Sequence, residues 1–252
     1  MATFVLVHGA WHGSWCWARI RRALLDRGHQ IFTPTLTGVG ERSHLLSRDI
    51  DLQVHVDDIV NLIRWEELDS VILCGHSYGG CVISGVADAM PDRIAALVYL
   101  DAFLAEDGES LHDLLPDEHR QLQVSLANEH GEGWRVPPIP AEVFNVNARD
   151  RDWVDRQCTP QPLATFQQKV RLSRGPSPVA HTHYIYASGW EGTPFTASYQ
   201  RAKARGWTAC EIACGHDVML DNPEALVSEL LVMADVAGPG DDLIRIEPPL
   251  RP

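Results

Sequence analysis

The chain has 252 residues and a formal net charge of −13, from 21 basic and 34 acidic residues. Such a negative charge argues against nucleic acid or an anionic membrane as a partner. Hydrophobic residues make up 45% of the chain and charged residues 22%, which is an ordinary globular composition, and the length suits one α/β domain with a large core.

No segment of the sequence predicts export or membrane insertion. Residues 3–7 are too short for the apolar part of a signal peptide, and no run approaches the ~18 apolar residues of a membrane span. We therefore expect a cytoplasmic protein with reduced thiols. Cys210 and Cys214 lie close to His216 in the chain, but a second pair of ligands at zinc-finger spacing is lacking, so no metal is predicted.

Short apolar runs alternate with amphipathic segments from residue 3 to residue 100. This alternation predicts an α/β fold with a doubly wound, mostly parallel sheet whose strands are covered on both faces. The predicted strands are residues 3–7, 30–33, 71–74 and 95–100, and the predicted helices are residues 17–27, 52–64 and 82–90.

The alternation stops after residue 100 and resumes at residue 182. The stretch between them carries many prolines and two helical patterns, at 111–127 and 140–157, which predicts an inserted, mainly helical cap. The later predicted elements are strands 182–187 and 207–213 and helices 193–205 and 223–236. The expected organisation is a core of residues 1–103 and 181–237, a cap at 104–180 and a loosely ordered C-terminal tail at 238–252.

The segment Gly75-His76-Ser77-Tyr78-Gly79 fits the motif G-x-S-x-G between a predicted strand and a predicted helix. This context is the one in which the motif presents its serine as a nucleophile. Small residues at both ends let the strand and helix backbones approach closely, and the strained turn exposes the hydroxyl at a helix N-terminus that favours negative charge. Ser77 is therefore the predicted catalytic nucleophile.

A serine hydroxyl needs a general base, and the base needs a carboxylate that orients it. His216 is the predicted base because it follows the last predicted strand, where the histidine stands in the chain order that accompanies this motif.

The acid is less certain from sequence. Asp101 directly ends strand 95–100, at the edge of the sheet where ligands bind. Glu191 is the alternative, as the only carboxylate in the loop after strand 182–187. Asp217 adjoins His216, but neighbouring residues rarely point at one another. We favour Asp101.

Acyl transfer also needs two N–H donors for the oxyanion. The backbone of Tyr78, directly after the nucleophile, is expected to supply one of them. The loop after the first strand is expected to supply the other, from Ala10 or alternatively from Trp11.

The substrate pocket should lie between the edge of the sheet and the cap. Its candidate residues are largely aromatic, which favours a small, flat, apolar substrate, although each of them could pack in the core instead. The candidates are Trp11, His12, Phe103, Trp134, Phe144, Trp153, Phe166 and Trp190.

Five stretches resemble the α/β-hydrolases of the plant methylesterase and hydroxynitrile lyase group and their bacterial esterase relatives. They are residues 4–17, 34–42, 75–79, 97–104 and 215–217. The resemblance implies the α/β-hydrolase fold and a serine hydrolase without a cofactor. The lyases of the group carry threonine where Gly9 stands and lysine where Asp217 stands, so this chain resembles the ester hydrolases more. Asp101 matches the position from which haloalkane dehalogenases supply their acid.

The resemblance implies hydrolysis of a small, aromatic carboxylic ester through an acyl-enzyme. Since bacterial relatives also hydrolyse aromatic carbamates, a carbamate of the benzimidazole type or an amide is the alternative substrate. Hydroxynitrile cleavage and non-catalytic ligand sensing are less favoured. A homodimer is expected only because dimers are the commonest oligomers of soluble proteins.

Overall fold

The computed structural model describes residues 1–175 and 179–238. Apart from Gly238, the predicted tail at 238–252 lies outside the described residues. The strands are β1 (Thr3–Val7), β2 (Gln30–Phe32), β3 (Val71–His76), β4 (Ile94–Leu100), β5 (Arg135–Val136), β6 (Gln161–Pro162), β7 (His181–Ala187) and β8 (Thr208–Ile212). The α-helices are α1 (Ala18–Leu25), α2 (Leu52–Trp65), α3 (Gly79–Ala89), α4 (Leu111–Leu114), α5 (Asp117–His130), α6 (Arg151–Gln157), α7 (Ala164–Gln167), α8 (Thr196–Ala204), α9 (Val218–Asp221) and α10 (Pro223–Ala237).

Six strands form one sheet in the order β2-β1-β3-β4-β7-β8. Every neighbouring pair in it is parallel, so the carboxyl ends of all six strands meet at one edge. The strand order changes direction between β1 and β3, which is where ligands bind in sheets of this kind. The predicted doubly wound, parallel α/β sheet is confirmed.

Successive residues of the central strands pack into two separate apolar layers. Val5 and Val7 of β1 belong to the layer that contains α2 and α3, whereas Phe4 and Leu6 belong to the layer that contains α1 and α10. A strand that is covered on both faces has to be apolar at every position. This requirement explains why β1 and β3 appear in the sequence as unbroken apolar runs.

Two of the predicted core helices, α2 and α10, begin at side-chain caps. The side chain of Asp51 accepts a hydrogen bond from the N–H of Val54 at the start of α2, and Asn222 caps α10 in the same way, with Pro223 in its first turn. Such caps satisfy backbone N–H groups that have no partner inside the helix. Within the described residues, no helix is long and apolar enough to span a membrane.

The segment between β4 and β7 differs from the prediction in two places. The predicted helix 111–127 is two helices, α4 and α5, because Pro116 forces Leu115 into an extended conformation with ψ of 146°. Of the predicted helical stretch 140–157, only α6 is helical; before it, Asn145 has φ of 55°, which interrupts a helix. The antiparallel pair β5–β6, called the cap ribbon below, was not predicted. The proposed limits of the cap, 104–180, stay a prediction.

Candidate active site

Ser77 occupies the sharp turn between β3 and α3, at the edge where the strands end. Its φ of 56° lies in the left-handed region, which costs a non-glycine residue ~1–2 kcal/mol. Backbone hydrogen bonds hold it there: its N–H donates to Leu100 at 3.2 Å, and its carbonyl accepts from Gly80 and Phe103, both at 3.1 Å. The side chain of Ser77 consequently lines a cavity between the carboxyl edge of the sheet and helices α4 and α5.

The two glycines that flank the turn are required by close backbone contacts. A Cβ on Gly75 would lie 2.5 Å from the carbonyl oxygen of Gly79, and a Cβ on Gly79 would lie 2.9 Å from the carbonyl oxygens of Val7 and His8. Both distances are shorter than atoms tolerate, so any larger residue would displace the helix from the strand.

His216 lies in the loop between β8 and α9. Its Nδ1 is 2.7 Å from Oδ2 of Asp101, and Oδ1 of the same carboxyl accepts a hydrogen bond from the N–H of Ala187 at 3.1 Å. Because a carboxylate only accepts hydrogen bonds, Nδ1 carries the hydrogen. The other ring nitrogen, Nε2, is left for the cavity that His216 shares with Ser77.

Aromatic rings surround the His216 imidazole on its cavity side. The ring of Phe195 stacks on it at 4.7 Å, and those of Trp190 and Phe144 lie 5.3 Å and 5.6 Å away. The resulting burial lowers the pKa of His216 to about 4, so the ring is neutral and able to accept a proton at pH 7. Burial also raises the pKa of Asp101, an effect that its hydrogen bond from the Ala187 N–H opposes.

Glu191, the alternative acid, is exposed and lines the outer part of the cavity. Among the described residues it makes no hydrogen bond with His216, whereas Asp101 does. The structure therefore brings the favoured acid, and not the alternative, to the predicted base.

The loop after β1 is tied to the cap ribbon through Trp11, whose φ is 64°. Its backbone N–H donates to Oε1 of Gln161 at 2.9 Å, and its indole N–H donates to the carbonyl of Val136 at 3.0 Å. Its carbonyl accepts from the N–H of Thr159 at 3.0 Å. Trp11 therefore has no backbone N–H left for an oxyanion.

The backbone N–H groups of Ala10 and Tyr78 differ in this respect from that of Trp11. Neither donates a hydrogen bond to another described residue. Ala10 lines the same cavity as Ser77, and Tyr78 is the N-terminal cap of α3. Both groups are thus available for a ligand beside the serine.

A second histidine–aspartate pair lies behind this site. Nδ1 of His12 is 2.7 Å from the carbonyl oxygen of Ala10, and Nε2 is 3.0 Å from Oδ2 of Asp217. Since both partners only accept, both ring nitrogens carry hydrogen and His12 is an imidazolium. Although burial disfavours that charge, Cys158 and Asp217 raise the pKa of His12 well above its ordinary value. The pair connects the loop of Ala10 to the loop of His216.

The cavity has a volume of about 530 Å³ and mostly apolar walls. Five of the predicted pocket residues line it: Trp11, Phe103, Phe144, Phe166 and Trp190. Sequence analysis missed the leucines at 111, 115, 122 and 126, which also line it. Their spacing of three to four residues, or multiples of it, is a helical stripe that could have identified them.

Three predicted pocket residues lie elsewhere: His12, Trp134 and Trp153. The rings of His12 and Trp153 both pack against Trp15, at 4.9 Å and 5.0 Å, and His12 is held there by its ion pair with Asp217. Trp134 instead contacts the guanidinium groups of Arg48 and Arg135, at 5.5 Å and 5.4 Å. A position close in sequence to pocket residues therefore does not place an aromatic side chain in the pocket. These three side chains pack against a neighbouring ring or cation instead.

Two groups of described side chains bring three possible metal ligands within 4.8 Å of one another. The first group is His76, His216 and Asp217, which belongs to the active-site network because His216 is bound to Asp101 and Asp217 to His12. The second group is His183, Cys210 and Glu229, which lies apart from the cavity.

The sequence is similar to those of known hydrolases. A sequence model of the alpha/beta hydrolase family matches residues 4–229. A carbendazim hydrolyzing esterase of Nocardioides sp. (strain SG-4G) is 46% identical over 244 residues, covering 92% of this chain and 100% of that protein. A putative chloroplastic methylesterase, number 14 of Arabidopsis thaliana, is 31% identical, covering 68% of this chain and 53% of that protein.

A solved structure is similar over nearly the whole fold. It is an extracellular alpha/beta-hydrolase from a Paenibacillus species, described as sharing structural and functional homology with tobacco salicylic acid binding protein 2. Its TM-score is 0.79 at 25% identity, covering 93% of this chain and 99% of that one. The predicted resemblance to plant methylesterases and bacterial esterases is confirmed, and the chain belongs to the alpha/beta hydrolase family.

Proposed function

We propose that the protein is a serine hydrolase that cleaves a small aromatic carboxylic ester through an acyl-enzyme. The observation that carries this proposal is the arrangement of three groups. Ser77 is held in a strained turn, it shares a cavity with His216, and Nδ1 of His216 lies 2.7 Å from Asp101. This is the order of nucleophile, base and orienting acid on which acyl transfer depends.

In the proposed reaction, Oγ of Ser77 attacks the ester carbonyl while Nε2 of His216 takes the hydroxyl proton. The imidazolium that forms is stabilised by Asp101 through the hydrogen on Nδ1. His216 then gives the proton to the leaving alcohol, and water attacks the acyl-enzyme with the same histidine as base. Because His216 is neutral in the resting enzyme, it is ready to act at pH 7.

The N–H groups of Ala10 and Tyr78 are the proposed donors to the oxyanion. Removing one such donor typically lowers turnover by ~10²–10³. We assign His12 and Asp217 a positioning role, because His12 holds the carbonyl of Ala10 and Asp217 precedes helix α9 directly after His216. Their ion pair holds the loop that carries Ala10 and the loop that carries His216 in a fixed relative position.

An aromatic carbamate is the second candidate substrate. It is favoured by the relative that is named as hydrolysing carbendazim, a methyl carbamate of benzimidazole, and whose full length aligns with 92% of this chain. Within the apolar cavity, Gln123 supplies a polar wall position, which suits a flat substrate with nitrogen atoms better than a hydrocarbon ester. The side-chain carbonyl oxygen of Gln123 already lies 2.9 Å from Nε2 of His112. The amide N–H₂ of Gln123 is therefore the part left for a ligand.

The test compares kcat/KM for a series of p-nitrophenyl esters with that for an aryl methyl carbamate. Ser77→Ala should lower turnover by several orders of magnitude on either substrate, whereas the exposed serine of α10 provides the matched control Ser228→Ala. Turnover by Ser77→Ala would overturn the proposal. Labelling of Ser77 by a fluorophosphonate without turnover of any ester would identify a ligand receptor instead. A much larger kcat/KM for the carbamate would make it the substrate class.

The cytoplasmic location and the homodimer stay predictions from the sequence. Size-exclusion chromatography with light scattering would measure the assembly directly.

A further inference from the structure

Three side chains that bind metals in other proteins converge on the edge of the sheet far from Ser77. They are His183 on β7, Cys210 on β8 and Glu229 on α10. Nε2 of His183 lies 3.4 Å from Sγ of Cys210 and 3.4 Å from Oε2 of Glu229. Along β7, His183 stands four positions before Ala187, whose N–H donates to Asp101, and this offset corresponds to ~13 Å of strand.

These separations match those between ligands of a tetrahedral zinc ion. With Zn–S near 2.3 Å and Zn–N or Zn–O near 2.0–2.2 Å, neighbouring ligand atoms lie ~3.3–3.6 Å apart. Two of the three separations therefore already suit one ion, and the third, between Sγ of Cys210 and the Glu229 carboxylate, is within 4.8 Å. Because Cys210 and Glu229 are only partly buried, a fourth position is open to water.

A neighbouring hydroxyl can hold the histidine in the tautomer that a metal requires. Nδ1 of His183 lies 2.9 Å from the hydroxyl oxygen of Thr208, which is itself 3.3 Å from the carbonyl oxygen of Thr182. When that hydroxyl donates to Thr182, Nδ1 carries the ring hydrogen and the lone pair of Nε2 faces Cys210 and Glu229. A hydrogen bond from the second ring nitrogen is the usual way in which proteins fix a metal-binding histidine.

The charges of the three groups suit a divalent ion, because one thiolate and one carboxylate neutralise its two positive charges.

We propose that His183, Cys210 and Glu229 form a zinc site that joins the last two strands to the last helix. The ligand set of sulfur, nitrogen and oxygen in tetrahedral spacing favours zinc over magnesium or calcium. On binding, the Cys210 thiol gives up its proton to solvent and the thiolate bonds to Zn²⁺. The other two ligands bind in the states that they already have.

Cobalt(II) is the probe, since its absorption reports the ligands directly. One equivalent added to the metal-free full-length protein should give d–d bands of a tetrahedral site and a near-ultraviolet thiolate-to-cobalt band. Zn²⁺ should abolish both bands, and each Zn²⁺ bound should release about one proton at neutral pH. Zn²⁺ should also raise the unfolding temperature, because it binds only the folded chain.

Variants assign the site. Cys210→Ser should lose the thiolate band, and Thr208→Val should weaken Zn²⁺ binding ~10–100-fold, as removal of such outer partners does. The matched control Cys214→Ser should keep the band, and His216→Ala should keep it too, which separates this site from the active-site cluster. Absence of the band, or its persistence in Cys210→Ser with an unchanged circular dichroism spectrum, would overturn the proposal and leave a hydrogen-bonded cluster only. None of these measurements uses hydrolysis, so failure here leaves the proposed function untouched.

Discussion

Replacing Asp101 by asparagine should stop the proposed reaction while preserving the fold. Oδ1 of Asp101 accepts from the N–H of Ala187, and Oδ2 accepts from Nδ1 of His216. Asparagine has an oxygen at only one of these positions. Because the N–H of Ala187 is fixed at the end of β7 and can only donate, the amide oxygen must face it, and the amide N–H₂ must face His216.

An amide donor at that position reverses the tautomer of His216. Nδ1 becomes the acceptor, the ring hydrogen moves to Nε2, and Nε2 can no longer take the proton of Ser77. The wrong tautomer costs ~10⁴-fold in turnover in a related arrangement of serine, histidine and aspartate, which corresponds to about 5.5 kcal/mol of transition-state stabilisation. The same exchange removes little packing, because the two side chains have nearly the same shape.

The assay is kcat/KM on a p-nitrophenyl ester, with circular dichroism and thermal unfolding as checks on the fold. Asp69→Asn is the matched control, since that carboxylate is exposed and pairs only with Arg93 among the described residues. Glu191→Gln tests the alternative acid and should retain most of the activity. If folded Asp101→Asn keeps more than about one tenth of the wild-type kcat/KM, the tautomer argument is refuted.

Three further predictions follow from the same region. Gly75→Ala should lower the free energy of unfolding in urea by ~1–3 kcal/mol, because its methyl group meets the carbonyl of Gly79 at 2.5 Å; unchanged stability would contradict the close contact. The pKa of His216, about 4, predicts that kcat/KM is flat near neutral pH and falls as the ring gains a proton near pH 4; a midpoint at 6.5 or above would contradict the burial argument. Although burial opposes it, His12 lowers the pKa of Asp217 well below its unfolded value of 3.8. The Asp217 charge therefore stabilises the fold above pH 3.8 and ceases to do so as the pH falls through the lower pKa of the folded state. The free energy of unfolding that Asp217→Asn loses at neutral pH should consequently shrink in acid. A difference in urea unfolding that does not change with pH would argue against the ion pair of His12 and Asp217.

The nucleophile and the base could be predicted because short-range patterns define them. Ser77 belongs to a five-residue motif between an apolar run and a helix, and His216 follows the last strand in the chain. Asp101 could be favoured for a similar reason, because a carboxylate that ends a buried strand needs a partner. The parallel sheet was predictable because strands covered on both faces are apolar throughout.

Contacts between distant parts of the chain could not be predicted. His12 and Asp217 are 205 residues apart, and only the meeting of two loops at one edge of the sheet makes them a pair. The cap ribbon was missed because strands of two residues carry no periodic pattern. The same limit applies to Cys210, whose partners come from a neighbouring strand and a helix and not from Cys214, which is nearer in sequence.

The hydrogen bonds from Trp11 to the cap ribbon restrict how the specificity of this enzyme can evolve or be engineered. Gln161 and Val136 hold the loop that carries Ala10, so movement of the cap ribbon away from that loop would have to break both hydrogen bonds. The walls contributed by α4 and α5 have no such attachment to that loop among the described residues. Exchange of helices between relatives should therefore alter which acyl group fits, whereas grafting a foreign ribbon should cost turnover on every substrate.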